Sequence, residues 1–109
     1  MLPKKDDSFR DFILDQLNGL GAVSCRTMFG GCGLYHEQQF FGIIFKGRLY
    51  FKTDPSTQTQ YRDQGMKPFR PSARQMLKNY FEVPADMIED PDVLVNWAEQ
   101  AARTARPTR

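Results

Sequence analysis

Phe40-Phe41-Gly42-Ile43-Ile44-Phe45-Lys46-Gly47-Arg48-Leu49-Tyr50-Phe51-Lys52 reads as two short β-type runs joined by a two-residue hairpin turn at Lys46-Gly47. With that turn, Phe45 faces Arg48, Ile44 faces Leu49, Ile43 faces Tyr50, Gly42 faces Phe51 and Phe41 faces Lys52. Side chains alternate across a strand, so this register predicts two chemically different faces. One, with Phe40, Ile44, Leu49 and Phe51, is plain core. The other mixes Phe41, Ile43, Phe45 and Tyr50 with Arg48 and Lys52, and is the more informative.

Upstream, Val23 to Phe29 and Gly33 to His36 are further strand candidates, followed by Phe40 to Phe45 and Arg48 to Thr53. Strands joined by such brief turns cannot be parallel, because a parallel return needs a crossover of a dozen residues or more; an antiparallel meander follows. Before it, Ser8 reads as a helix cap, with Phe9, Phe12, Ile13, Leu17 and Leu20 on one stripe and Gly19 and Gly21 as the stop. After it, Asp54-Pro55 ends the strand and one or two helical turns cover Ser56 to Tyr61. An edge strand is expected around Met66 to Phe69, and alternation favours a strand over Met76 to Val83. Asp90-Pro91-Asp92 starts a last helix whose apolar stripe is Val93, Leu94, Trp97, Ala98 and Ala101. The expected class is α+β: an antiparallel sheet of about four to six strands flanked by an N-terminal and a C-terminal helix in two layers.

At 109 residues the chain corresponds to one domain, 1–109, with 1–6 and 104–109 expected to be flexible. A net charge of +2 is far from that of a histone-like polycation, so any basic patch must be local. The longest apolar stretch, Phe40 to Phe45, is far short of a membrane span, and no signal region follows Met1. A cytoplasmic location without membrane contact is expected. Two cysteines make no disulfide scaffold, and reduced thiols are the default.

Gly30-Gly31-Cys32-Gly33 lies between two expected strands and no GK[ST] follows, so the glycines are structural, at a tight bend or close approach, rather than a phosphate loop. Cys25, Cys32 and His36 fit neither structural nor catalytic zinc spacing, and no metal or other cofactor is expected. A thiol sensor based on Cys25 and Cys32 remains open if their strands are neighbours. Arg62, Lys67, Arg70, Arg74 and Lys78, interleaved with Tyr61, Phe69 and Tyr80, form the densest basic stretch. It could hold DNA weakly and without sequence preference, since no helix-turn-helix or zinc-finger signature is present. The acids Asp86, Glu89, Asp90 and Asp92 are explained by helix capping, and with a lone His36 no Ser-His-Asp arrangement suggests itself. No enzyme is expected.

Arg26-Thr27-Met28-Phe29-Gly30-Gly31-Cys32-Gly33-Leu34-Tyr35 resembles the opening signature of the TfoX/Sxy N-terminal domain family. Gly47 to Asp54, Gly65 to Phe69, Tyr80 to Asp86 and Trp97-Ala98 follow in that family's order and approximate spacing. The resemblance implies an antiparallel sheet flanked by helices, and an accessory regulator of competence genes that acts beside a DNA-bound activator. Full-length members carry a second, helical domain, and with twelve residues after Trp97 a single-domain member is expected. The expectation is therefore a non-enzymatic interaction domain in transcriptional regulation of DNA transformation. It would use Arg48, Tyr50, Lys52, Lys67 and Arg70 to contact a protein partner such as transcription machinery or a DNA-bound activator, or a second copy. Weak nucleic-acid binding and thiol or small-molecule sensing are the rival readings.

Overall fold

In the computed structural model, which describes residues 5–28 and 30–105, the central hairpin has the register that its turn dictates. Lys46 and Gly47 both have positive φ, 50° and 74°, the tight-turn geometry whose twist matches two antiparallel strands. Six strands follow: β1 (Val23–Met28), β2 (Gly31–His36), β3 (Gln39–Phe45), β4 (Arg48–Lys52), β5 (Pro68–Ser72) and β6 (Gln75–Glu82). All pairings are antiparallel, in the order β1-β2-β3-β4-β6-β5. The helices are α1 (Lys5–Gln16), α2 (Pro55–Asp63), α3 (Ala85–Ile88) and α4 (Pro91–Ala105), with a 3-10 turn at Asn18–Leu20. The fold is thus the expected α+β sheet, with helices at both ends of the chain.

The alternation of β3 breaks once. Leu34 is opposite Gly42 but Tyr35 is opposite Phe40, so Phe41 is an extra residue in a β-bulge. The bulge exchanges the expected places of two rings. Phe41 enters the main core, 5.8 Å from Phe51, and Phe40 moves to the opposite face, 5.2 Å from Tyr35. Gly42 beside it is hemmed by the Tyr50 carbonyl oxygen and the Leu34 and Phe51 side chains, each 3.1–3.3 Å from where a Cβ would sit.

The main core lies between the sheet and the helices. Ile13 and Leu17 of α1, Tyr61 of α2, Met87 and Ile88 of α3, and Leu94, Ala98, Ala101 and Ala102 of α4 meet Leu34, Phe41, Ile44, Leu49, Phe51 and Phe81 of the strands. The small alanines let α4 approach the sheet closely. Local chemistry starts two of the helices. Asp54 accepts from the Thr57 backbone N–H at 2.9 Å while the Thr57 hydroxyl accepts from the Asp54 N–H, a reciprocal cap. Asp90 accepts from the backbone N–H groups of Asp92 and Val93 ahead of Pro91. Ser8 caps nothing, because α1 has already begun at Lys5. Thr104 and Ala105 are likewise helical, and Phe29 and the outer parts of both tails lie outside the described residues.

The opposite face of the sheet has its own, smaller cluster. Ile43, Tyr50, Phe69 and Tyr80 are buried there, with Phe40, Phe45 and Leu77 packed against them, and no helical residue takes part. Phe69 closes this cluster from the β5–β6 hairpin: its ring lies 4.6 Å from Tyr50 and 5.4 Å from Phe45 and has no exposed surface. The pairing of β5 with β6 slips on both sides of Phe69, which lets the hairpin bend towards that face.

Candidate functional site: the helix-free sheet face

Cross-strand pairing determines which side chains share the helix-free face. Arg26 is opposite Gly33 and Ile43 opposite Tyr50, while Tyr35 is opposite Phe40 and Lys52 opposite Tyr80. Ring contacts run across the strands from Tyr35 to Phe40 at 5.2 Å and from Phe40 to Tyr80 at 5.3 Å. Cations stand at both ends of the row. The Arg26 guanidinium lies 4.7 Å over the Tyr35 ring, and the Lys52 ammonium 5.7 Å over Tyr80. A third, Lys46, sits 5.3 Å over Phe45 at the hairpin tip.

The expected surface residues are dispersed by this arrangement. Arg48 is exposed and donates to Glu82 at 3.0 Å. Lys52 is half-buried along Tyr80. Tyr50 is only 8% exposed: it lies beneath Phe69, so its ring is a support for the face and not part of its open surface. Lys67 is exposed next to Glu82, whose backbone N–H it accepts, and so adjoins the Arg48–Glu82 pair. Arg70 is further out at the hairpin tip, donating to the Ala73 carbonyl at 3.3 Å. Arg62 is elsewhere, over the Phe81 ring, so the basic stretch of the sequence is not one patch. Arg26, which is exposed, and Tyr35 and Phe40, which are half-buried, join this face although the hairpin alone does not place them there.

Charge is segregated between the layers. The strands and their connections, residues 22–53 and 64–83, carry eight Lys and Arg against Glu37 and Glu82, a surplus of six. The helical segments 5–21, 54–63 and 84–105 carry four against eleven acids, a deficit of seven. The small overall charge conceals cationic strand segments and, over these described residues, acidic helical segments, with Lys4, Arg106 and Arg109 outside both counts.

Burial acts on two phenols of the face, Tyr50 and Tyr80. It is the main cause that raises Tyr50 above its ordinary range, with the Glu82 carboxylate adding to it. It also pushes Tyr80 up to about 12, with Tyr35 adding to it. The Tyr80 hydroxyl donates to the Phe40 carbonyl at 3.4 Å.

The glycines and thiols lie around the β1–β2 hairpin. Gly30 occupies its turn with φ +81°, and a Cβ on Gly31 would collide with the Ile44 carbonyl oxygen of β3. Gly33 is buried between Arg26 and Ile43. Cys25 and Cys32 are diagonal neighbours on the helical side of β1 and β2. Burial, and then the adjoining Cys25 thiol, pushes Cys32 up to about 12. A thiol held protonated in this way is the opposite of an activated nucleophile. His36 Nδ1 lies 3.0 Å from the Ala22 carbonyl oxygen and links two segments of backbone. Among the described residues, no three His, Cys, Asp or Glu side chains converge as metal ligands would. No helix among them is long and apolar enough to cross a membrane.

These features define a class: a one-sided α+β sheet domain whose helices seal one face and whose other face carries rings bracketed by cations. The chain belongs to the TfoX N-terminal domain family, whose pattern matches residues 15–105. It is 28% identical over 92 residues to the DNA transformation protein TfoX1 of Aliivibrio fischeri (strain ATCC 700601 / ES114). That match covers 83% of this chain and 44% of the relative, so the chain spans less than half the length of the curated relative it matches. The fold is therefore that of a domain related to DNA transformation proteins.

Proposed function

We propose that this chain is a non-enzymatic regulatory domain of DNA transformation that acts through protein–protein contacts made by its helix-free sheet face, in the cytoplasm. One observation carries this reading: a face with part-exposed Tyr35, Phe40 and Phe45, bracketed by Arg26, Lys46 and Lys52, is left without a helix among the described residues, although α1, α2, α3 and α4 all pack on the other side. Aromatic rings with an arginine on an open surface are the composition of contact surfaces, and lysines at the rim steer a charged partner. The relative's name, DNA transformation protein, supports the process.

The test is genetic. In the native cell, the gene is deleted and replaced by the wild-type gene or by one carrying Arg26→Glu and Lys52→Glu, and transcripts of DNA-uptake genes are measured beside transformation frequency. Charge reversal at a contact surface is expected to lower both by at least about tenfold while the purified variant keeps its melting temperature. Equal output from variant and wild type, or no effect of the deletion itself, would contradict the proposal.

A further inference from the structure

Resting on that reading, we infer that the occupant of the helix-free face is an acidic, partly apolar segment of another protein, and that nucleic acid is not. Arg26, Lys46 and Lys52 stand over the rings of the face, and its acid, Glu82, is held by Arg48 at 3.0 Å, within strand segments that carry a surplus of six positive charges. A partner seated there must be anionic. Two copies placed sheet to sheet would set Arg26, Lys46 and Lys52 against their own kind.

The rings then discriminate between anions. Stacking of nucleobases, which gives single-stranded nucleic acid much of its hold on a sheet, needs ring faces that are free. Here they are occupied. Tyr35 and Phe40 are 5.2 Å apart and only 26° from parallel, closer than rings side by side in one plane can come, so their faces overlap. The Arg26 guanidinium lies over Tyr35, Tyr80 lies 5.3 Å from Phe40, and Lys52 lies over Tyr80. Faces spent on one another leave the edges to be offered outward. A ring edge carries the positive part of the quadrupole and suits carboxylate oxygens or aliphatic groups better than the π-face of a base. Carboxylates set against Arg26, Lys46 and Lys52, with apolar side chains against Phe40 and Phe45, complete the complement.

The experiment uses the full chain and three labelled probes at physiological ionic strength. They are a Glu-Glu-Leu repeat peptide, the matching Lys-Lys-Leu peptide, and an oligothymidylate of the same formal charge as the first. Fluorescence anisotropy is expected to show no binding of the basic peptide and binding of the acidic peptide at least about tenfold tighter than the oligothymidylate, falling at least about tenfold with Arg26→Gln/Lys52→Gln. Both side chains contact the face from its rim, and circular dichroism checks that the variant folds. Oligothymidylate binding as tight as the acidic peptide would assign the face to nucleic acid and overturn the inference. No binding of the acidic peptide, or binding indifferent to the two substitutions, would also overturn it. So would a sedimentation-velocity oligomer that those substitutions dissolve, because the occupant would then be a second copy. If the peptide arm fails while the genetic test still depends on Arg26 and Lys52, the occupant's chemistry is wrong and the regulatory reading stands.

Discussion

Phe69→Ala is the substitution that tests how the helix-free face is built. The ring is fully buried although it belongs to an edge hairpin, and it touches Tyr50 at 4.6 Å and Phe45 at 5.4 Å. Truncating a fully buried Phe costs about 3 to 5 kcal/mol, from lost apolar burial and the cavity left behind. For a domain near this size each kcal/mol shifts Tm by about 4–8 °C, so a fall of at least about 12 °C is expected. Urea unfolding followed by circular dichroism measures the same loss independently. Phe12→Ala is the internal control: that ring is 43% exposed on α1, and its truncation is expected to cost less than about 1 kcal/mol. A Phe69→Ala loss no larger than the Phe12→Ala loss would mean that the β5–β6 hairpin does not close over Tyr50, and the construction of the face would be refuted.

Three further outcomes follow from local geometry. Gly31→Ala places a methyl group against the Ile44 carbonyl, and strain of about 1–3 kcal/mol is expected in chemical denaturation; Gly30→Ala meets open space but forces a side chain into a left-handed backbone of φ +81°, at a cost of about 1–2 kcal/mol. Asp54→Ala removes a reciprocal cap and is expected to cost about 0.5–2 kcal/mol; because hydrogen bonds from Ser56 and Thr57 hold the carboxyl below its ordinary 3.8, the cap's contribution is complete above that pH and fades as pH falls through the lowered value, which an acid titration of Tm in wild type and variant reads as a converging pair. At the alkaline end, Cys32 and Tyr80 are each pushed up to about 12, from 9.0 and 10.0, so their stabilising share is whole below pH 9 and is lost as pH rises towards 12; Tyr80→Phe is expected to flatten the upper part of that decline in a Tm–pH series.

The hairpin register was legible because a two-residue turn leaves no freedom: the observed pairs Phe45–Arg48, Ile44–Leu49, Ile43–Tyr50 and Gly42–Phe51 follow from counting outward from Lys46-Gly47. The exchange of Phe40 and Phe41 was not, because a bulge is one extra residue and both residues are Phe, so period and composition read the same with or without it. Ser8 satisfies the local chemistry of a cap, but Asp6 and Asp7 suit the first turn of a helix, where the positive end of the macrodipole favours acids, and α1 begins earlier, at Lys5. The short α3 escaped notice since four residues carry no period. At the site, Arg48 and Lys52 were found from alternation within the hairpin. Arg26 needed the β1–β2 register, and the burial of Tyr50 needed the β5–β6 hairpin to bend over it, a tertiary event that no local pattern encodes. Charge segregation was hidden by a net charge of +2, although grouping the acids by expected helix and the bases by expected strand would have revealed it.

The most direct measurement of the central claim is NMR relaxation by small soluble spin labels, one anionic and one neutral, added to the isotope-labelled chain. The account predicts that the anionic label selectively broadens signals of Arg26, Tyr35, Phe40, Lys46 and Lys52 relative to the neutral one, and spares buried Leu49 and the acids Asp92 and Glu99 of α4. Equal broadening by both labels across the two sides, or protection of Tyr35 and Phe40 from either, would contradict it.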